Sequence, residues 1–482
     1  MEYNSLSKRG EKMIFNNSEN ILTTEELIDI YIDEFNASRA RELMKKGESY
    51  YKVENDILNR KMIRYENEQP VEDETKANNK LAHGFMHTLV DDKVNYLLLK
   101  PYTLTCEDGT YLKKVQEILG NRFQKKLSQL GFEASNKGIA WLHIYIDPEG
   151  HFKMLRIPSE QIIPLWVDND HEELQALIRY YDVEVYEGRQ KKYVTKIEYW
   201  TPDNVEYYVK DNNGKVILDA EMYLDDDNSY KGHFKINNQP SNWGRVPFIY
   251  FKNNDFELPD LQFVKTLIDN YDLTRSDVAN LLEEIKNVIY ILKGYGGESL
   301  AEFVRDLAYY KGIKIDADDD ASVDKIENNI NIDAAKEHYS TLKKDIFDFG
   351  QGVDKNSDKL GNSPSGIALK FIYSGLDLKC NAIEGWLKWG FEELIRFINI
   401  YLGIIKQPSS DKKIEIVFNR DIAINESQAI TDCQNSKEII SDKTIIANHP
   451  WVGNVDEEIK QIEEEEKSRE VPMLGNDGSD EE

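Results

Sequence analysis

Cysteine is scarce: the 482 residues hold three, Cys106, Cys380 and Cys433. They are odd in number and far apart, which excludes a disulfide framework and a cysteine zinc site and predicts folding in a reducing compartment. No run of about 18 apolar residues occurs, so no membrane span is expected. The opening stretch, "MEYNSLSKRGEKMIFNNSEN", lacks the apolar core of a signal peptide. Positive charge is short as well. Sixty Lys and Arg face 88 Asp and Glu, for a net charge of −28. A protein that grips nucleic acid draws its affinity from Lys and Arg at phosphates, so this balance excludes tight DNA binding over a broad surface. Part of the excess is local. Val452–Glu482 carries twelve acids against three bases. It reads as a solvated helix, "EEIKQIEEEEKSRE", and a disordered end, "GNDGSDEE".

The signatures of catalysis are missing too. There is no G-x-x-x-x-G-K-[ST] phosphate loop; "KGYGGES" offers glycines without the lysine, so the chain has no ATP motor of its own. There is no G-x-S-x-G. His83 and His87 stand four apart in a helical pattern, as two zinc ligands could, but a metalloprotease needs Glu after the first His and Gly84 stands there. Asp316, Asp318, Asp320 and Glu327 fall at positions 1, 3, 5 and 12 of a calcium loop. Ala321 occupies the position that needs Gly, and the preceding "GIKI" alternates like a strand. The better reading is a pair of helix-surface histidines and a solvated turn between strands. No catalytic residue, metal or cofactor is expected.

What is present is ample core material. The chain is 40% apolar and 11% aromatic, enough to fill real cores, and its 482 residues suit two to four domains. Residues 24–65 read as polar helix, with Thr24 as cap and Leu27, Ile28, Tyr31 and Phe35 as a stripe. A polar linker, "ENEQPVEDETKANN", follows. Leu81, Phe85, Leu89 and Val90 mark a helix closed by Pro101. Lys113–Leu130 marks another, ended by Gly131. From Trp141 the period changes to two, and residues 141–251 read as an antiparallel β domain entered by the hairpin "WLHIYID"–"PEG"–"FKMLRI". After Pro259, an apolar stripe predicts a helix to about residue 290. A mixed segment follows: "KGYGG", a helical "ESLAEFVRDLAYY" and a strand-like "GIKID". Asp333 can cap the next helix, with Ala335, Tyr339, Leu342, Ile346 and Phe349 as its stripe. Ser363 and Pro364 start a long helix to Leu402, in which Gly375, Gly385 and Gly390 predict bends. "IEIVFN" is one strand, and polar helices finish the chain.

Between the last two long helices lies "GQGVDKNSDKLGNSPSG", a stretch with almost nothing to bury. A segment of that composition serves as a plain linker or as a polar, mobile surface facing something other than protein.

Four stretches bear a family likeness: "NNKLAHGFMHTLVDDKVNYLLLKPYTL", "GIAWLHIYIDPEGHFKMLRIPSEQIIPLW", "LPDLQFVKTLIDNYDLTRSDVANLLEEIKNVIYILKGYGG" and "SGIALKFIYSGLDLKCNAIEGWLKWGFEELI". In order and spacing the chain resembles, over roughly residues 25–470, the portal proteins of tailed bacteriophages, in the branch typical of long-tailed phages and prophages of Gram-positive bacteria. The resemblance implies an α+β portal fold. An N-terminal helical segment (1–59) precedes a wing (60–257) with its β part at 141–251. A first stem helix (258–288), a clip (289–332) and a second stem helix (333–349) follow. A tunnel loop (350–363) leads into a long bent helix and a strand returning to the wing (364–419). A helical crown (420–470) and an acidic tail (471–482) complete the chain. It implies a homo-oligomeric ring, most often a dodecamer, at one capsid vertex. A separate terminase pumps double-stranded DNA in through the ring, and the DNA later leaves the same way.

The implied partners are the large terminase subunit, a head–tail adaptor, the scaffold and the major capsid protein, with no membrane. The implied location is the virion, and the host cytoplasm during assembly. Under that likeness Val353, Asp354, Lys355, Asn356, Ser357 and Lys359 are the loop residues expected at the channel. Lys355 and Lys359 would touch phosphates, and Asp354 and Asp358 would hold the loop's net charge at zero. The competing expectations are a head–tail connector or scaffolding protein, and a metal-dependent hydrolase built on His83/His87 or Asp316–Asp320.

Overall fold

In the computed structural model the described residues are 22–469, except 75, 224–231, 237–238, 285–288, 294–298, 300–304, 306–321, 327–331, 356–365, 421–425 and 453–454. Two helices, α1 (Thr24–Ala37) and α2 (Arg39–Tyr51), stand where one helical stretch to residue 65 was expected. Thr23 rather than Thr24 is the cap. Its hydroxyl accepts from the Glu26 N–H while the Glu26 carboxylate accepts from the Thr23 N–H. Ser38, in extended conformation, ends α1 and caps α2. The end of the expected helical stretch and the start of the supposed linker fold as a hairpin, β1 (Ile63–Glu66) and β2 (Gln69–Glu72). Helix α3 (Phe85–Leu98) follows; Leu81 lies ahead of it and is exposed. After the short strand β3 (Thr103–Thr105), α4 (Gly109–Leu119) and α5 (Phe123–Lys137) replace the single helix expected over 113–130. Gly120, at φ +68, makes the break. Gly131 ends nothing. It lies inside α5, where a Cβ would stand 2.8 Å from Leu98 Cδ1, so its lack of a side chain lets α5 close on α3.

The β part follows as β4 (Ile139–Ile146), β5 (Phe152–Ile157), β6 (Ile162–Trp166), β7 (Leu174–Glu187), β8 (Gln190–Trp200), β9 (Val205–Lys210), β10 (Val216–Leu218), β11 (Phe234–Ile236), β12 (Gln239–Ser241) and β13 (Phe248–Lys252). Two main antiparallel sheets form, in the orders β13-β4-β5 and β10-β9-β8-β7-β6. Alternation along the strands places Trp141, Leu177, Trp200, Phe248 and Tyr250 in one shared core. Helix α1 buries Ile28 and Ile32 in a second core with Ile178, Ile197 and Tyr208.

Pro259 precedes a short 3₁₀ turn, Asp260–Phe263, and α6 runs Lys265–Glu284. Strand β14 (Ile289–Lys293) pairs antiparallel with β15 (Ser322–Ile326), so the chain is extended by Ile289, where the stripe had predicted helix. The "ESLAEFVRDLAYY" stretch apart from Ser299 and Arg305, the "GIKID" strand and the Asp316–Asp320 cluster lie outside the described residues. Helix α7 (Ile332–Phe349) starts before Asp333, which sits in its first turn rather than at the cap. Its buried residues are Leu342, Ile346 and Phe347; Phe349, expected on the stripe, is exposed. α6 and α7 lie side by side, with Arg275 over the Tyr339 ring at 4.6 Å. Helix α8 (Gly366–Ile404) is 39 residues long and continuous through Gly375, Gly385 and Gly390. Gly390 is a notch: a Cβ there would overlap the Phe251 ring. Strand β16 (Glu415–Val417) pairs with β3, and α9 (Glu426–Asn435), α10 (Asp442–Ala447) and α11 (Val455–Arg469) follow. The fold is α+β. Its largest core draws on α3 to α8 and the β13-β4-β5 sheet. No helix of the described residues is long and apolar enough to cross a membrane.

One core group makes this fold sensitive to acid. His143 of β4 stacks on Phe248 at 4.6 Å and meets Trp200 edge-on at 4.8 Å, and its Nε2 is buried without a hydrogen-bond partner. Burial, with Arg179 and His233 nearby, pushes its pKa down from 6.5 to about 3. An unfolded histidine takes up a proton below about 6.5. The folded one refuses it until about 3. Stability should therefore be untouched by this group at high pH and fall as pH drops between those two values, by at most about 1.4 kcal/mol per pH unit. Urea unfolding at pH 7, 5.5 and 4.5 should show a shallower loss in His143→Phe than in the wild type.

Candidate functional site

The segment that follows α7, residues 350–355, is a root fixed to the body. Helix α7 closes on itself: the Gly352 N–H donates to the Phe347 carbonyl at 2.9 Å, and the Gln351 N–H to the Asp348 carbonyl at 3.3 Å. Gln351 occupies the left-handed position of this motif at φ +54. Both neighbouring glycines are needed for closeness. A Cβ on Gly350 would stand 2.8 Å from Leu89 Cδ1, and one on Gly352 would overlap Leu89 Cδ2.

Three lysines from three places then fix the root. Lys379 of α8 donates to the Gly350 carbonyl at 2.9 Å, Lys343 of α7 pairs with Asp354 at 3.1 Å, and Lys355 pairs with Asp92 of α3 at 2.8 Å. Val353 is the apolar peg among them. It is 4% exposed and belongs to the large core. The Lys355 side chain stays 65% exposed, and the adjacent Asp92 carboxylate raises its pKa. Two open depressions flank this root. One, of about 500 Å³, has His83, His87, Lys343 and Phe347 on its walls; the other, of about 130 Å³, has Tyr96, Leu99 and Tyr373. Val353 and Lys355 border both.

Below the root lies a buried charge cluster that sequence reasoning missed. Asp260 Oδ2 meets Lys379 Nζ at 3.0 Å, and its Oδ1 meets Lys93 Nζ at 3.2 Å. Asn253 donates to Asp260 Oδ1 at 2.9 Å and accepts from Lys93. Burial pushes the Asp260 pKa up, but Lys379, Lys93 and the Asn253 hydrogen bond outweigh it and hold the group at about 2. Burial draws Lys93 downward, opposed by Asp260. A signal was available: Lys93 falls on the apolar face of α3, between Leu89, Val90, Val94 and Leu97. A charge there must find a buried partner.

Of the six loop residues singled out, the structure places Val353 in the core and Asp354 and Lys355 in ion pairs at the root. Asn356, Ser357 and Lys359 lie outside the described residues, as does Asp358. The histidines take separate partners. His83 precedes α3 and its Nδ1 lies 2.7 Å from Asp272, whereas His87 on α3 lies 3.3 Å from Asp91. Among the described residues the one group with metal-ligand proximity is Asp147, Glu149 and His151 at the β4–β5 turn, far from both histidines in sequence.

The root can be tested by packing. Gly352→Val should cost about 1–3 kcal/mol by driving a branched side chain into Leu89, and Lys379→Met a similar amount by stranding the Gly350 carbonyl and half of Asp260. Both should appear as lowered urea midpoints; unchanged midpoints would mean the root is not held as described.

Comparison with known proteins gives one consistent result. A family model described as "Phage portal protein, SPP1 Gp6-like" matches residues 29–471. The portal protein of Bacillus phage SPP1 is 32% identical over 458 residues, 93% of this chain and 88% of the relative. That of Clostridium phage phiCD119 is 34% identical over 448 residues, 89% of this chain and 94% of the relative. A solved chain titled "Neck of native GTA particle computed with C12 symmetry" aligns with a TM-score of 0.39 at 11% identity, over 76% of this chain and 89% of its own length; at that level it carries no argument.

Proposed function

The chain belongs to the SPP1 Gp6-like phage portal family, non-enzymatic structural components of the virion that form an oligomeric ring at the capsid vertex, and on that premise we propose how its parts divide the work. Twelve copies enclose a channel. Residues 60–257 make the wing, α6 and α7 the stem that walls the channel, and 289–332 the clip. The clip meets the large terminase subunit during packaging and the head–tail adaptor afterwards. Residues 420–470 make the crown inside the capsid. Assembly with scaffold and major capsid protein takes place in the host cytoplasm. The observation that carries this reading is the match along nearly the whole chain, at 32–34% identity, to two portal proteins.

The loop is the part we assign to DNA. Val353, Asp354 and Lys355 hold its root while Asn356, Ser357 and Lys359 stand further along it, so copies around a ring form a polar collar. Duplex DNA must slide here, and each strong phosphate contact would act as a brake. The Lys355–Asp92 pair suits that need. Lys355 is the exposed member of that pair and Asp92 the largely buried one, so the lysine can turn outward to a passing phosphate while Asp92 stays in place to take it back. The chain's net charge of −28 works in the same direction by repelling the duplex from most of the surface.

Negative-stain images of the purified protein should show rings with a central pore, and light scattering should give a mass about ten to fifteen times the 56.0 kDa of one chain. A compact particle without a pore would sink the proposal. Changing Lys355 and Lys359 together to Ala should leave rings intact and alter the yield of DNA-filled heads several-fold. Normal packaging would remove these two lysines from the mechanism.

A further inference from the structure

Hairpin β1–β2 has little in its own chain to hold it folded. All eight strand residues are exposed. Its turn holds Asn67 and Glu68 at φ +49 and +66, a geometry in which the second position favours Gly. A lone two-stranded hairpin is marginal in water unless something packs on it. Its two faces differ in character. The register pairs Ile63 with Glu72 and Tyr65 with Pro70, which puts Ile63, Tyr65 and Pro70 on one side, with Glu72 at its base held by Lys61. Ile63 is 53% exposed and Tyr65 76%. Apolar residues scattered singly on a surface mean nothing, but neighbours on one face of an uncovered hairpin point to a partner.

The hairpin is nevertheless not a loose tether. The chain on both sides is fastened along α6: Arg60 pairs with Asp277 at 2.6 Å, the Asn79 N–H donates to Asn280 at 2.6 Å, and the Leu81 N–H to the Ser276 hydroxyl at 3.0 Å. Its base is closed by the Asp73 N–H on the Met62 carbonyl at 2.8 Å and by Lys61 with Glu72 at 2.9 Å. It is a limb fixed beside one stem helix, and it can reach only what stands next to that helix. The same helix carries Leu273 and Leu282 exposed.

We propose that β1–β2 is an arm between subunits, whose Ile63–Tyr65–Pro70 face packs on the α6–α7 pair of a second copy of this chain. The inference rests on the ring reading, because in a ring the object beside one stem is the next stem. The contact is head-to-tail: the arm of each copy is used on one side and the receiving helices on the other, as ring closure requires.

The test uses the full chain with a benzoylphenylalanine photocrosslinker in place of Tyr65, alongside the double variant Ile63→Ser, Tyr65→Ser. Wild-type protein that forms no rings would sink the ring reading and the arm with it. Where wild type forms rings, illumination of a mixture of isotope-labelled and unlabelled copies should join light chains to heavy ones, with the crosslink mapping within residues 265–284 or 332–349. The double variant should keep the monomer's circular dichroism and melting temperature while its ring fraction falls at least fivefold at equal concentration. Crosslinks confined to one chain, crosslinks to other regions, capture of an adaptor or capsid protein in assembled particles, or a smaller fall in ring fraction would each overturn the arm while leaving the ring standing.

Discussion

Asp260 is a carboxylate with almost no access to water, held between Lys93 of α3 and Lys379 of α8. Such a group is tolerated inside a protein only while its partners stay in place, because removing one leaves a buried charge uncompensated. The geometry of everything around it is thereby constrained. Asp260 opens the short turn that launches α6. Lys93 sits midway along the helix that floors the loop root, and Lys379 also holds the carbonyl where α7 ends. One carboxylate thus sets where the first of the paired helices begins and, through a single lysine, where the second one stops. Hydrophobic packing of α3, α6, α7 and α8 supplies the bulk of the cohesion. It is non-directional, and the charge cluster gives it a register.

From that fixed point the rest follows in layers. Lys379 fastens the α7 terminus, the close approach of Gly350 and Gly352 to Leu89 seats it on α3, and Val353 fills the remaining gap. Helix α8 then carries the connection to the β part, where the Gly390 notch receives Phe251 of β13. A residue without a side chain is the fitting point twice more: Gly131 lets α5 close on α3, and Gly138, at φ +87, turns the chain from α5 into β4 against the Glu257 backbone. The paired helices, the long helix and the β13-β4-β5 sheet are therefore not separate bodies joined by linkers. They share one core.

Sequence periodicity made much of this legible. Long apolar repeats marked α3, α6, α7 and α8, and alternation marked the strands between Trp141 and Phe251, because both patterns arise from burial of one face. The failures have physical causes. Gly131 looked like a helix stop because a glycine that breaks a helix and one that admits a neighbour are identical in sequence; only the position of Leu98 tells them apart. Phe349 continued the 4-3-4-3 repeat, yet the last turn of α7 buries Phe347, because the chain there is already bending toward Gly350. Hairpin β1–β2 was invisible because none of its strand residues is buried and its turn is Asn-Glu rather than Asn-Gly. At the loop, composition marked the segment, and the family likeness offered only an expected place for it. Three of its named residues prove to be tied down, Lys355 by Asp92, Asp354 by Lys343 and Val353 by the large core, and neither Asp92 nor most of that core is near them along the chain.

The hydrogen bonds that close α7 at Gln351 and Gly352, and the peg of Val353, are complete before the chain reaches Asn356. Whatever comes next hangs from an already finished knot. Lengthening a polar excursion costs little, since the entropy of closing a loop grows only with the logarithm of its length. Under the role we propose for the loop, the friction a channel offers its cargo and the strength of its scaffold can therefore drift independently: substitutions and insertions past the knot retune the one and leave the other untouched.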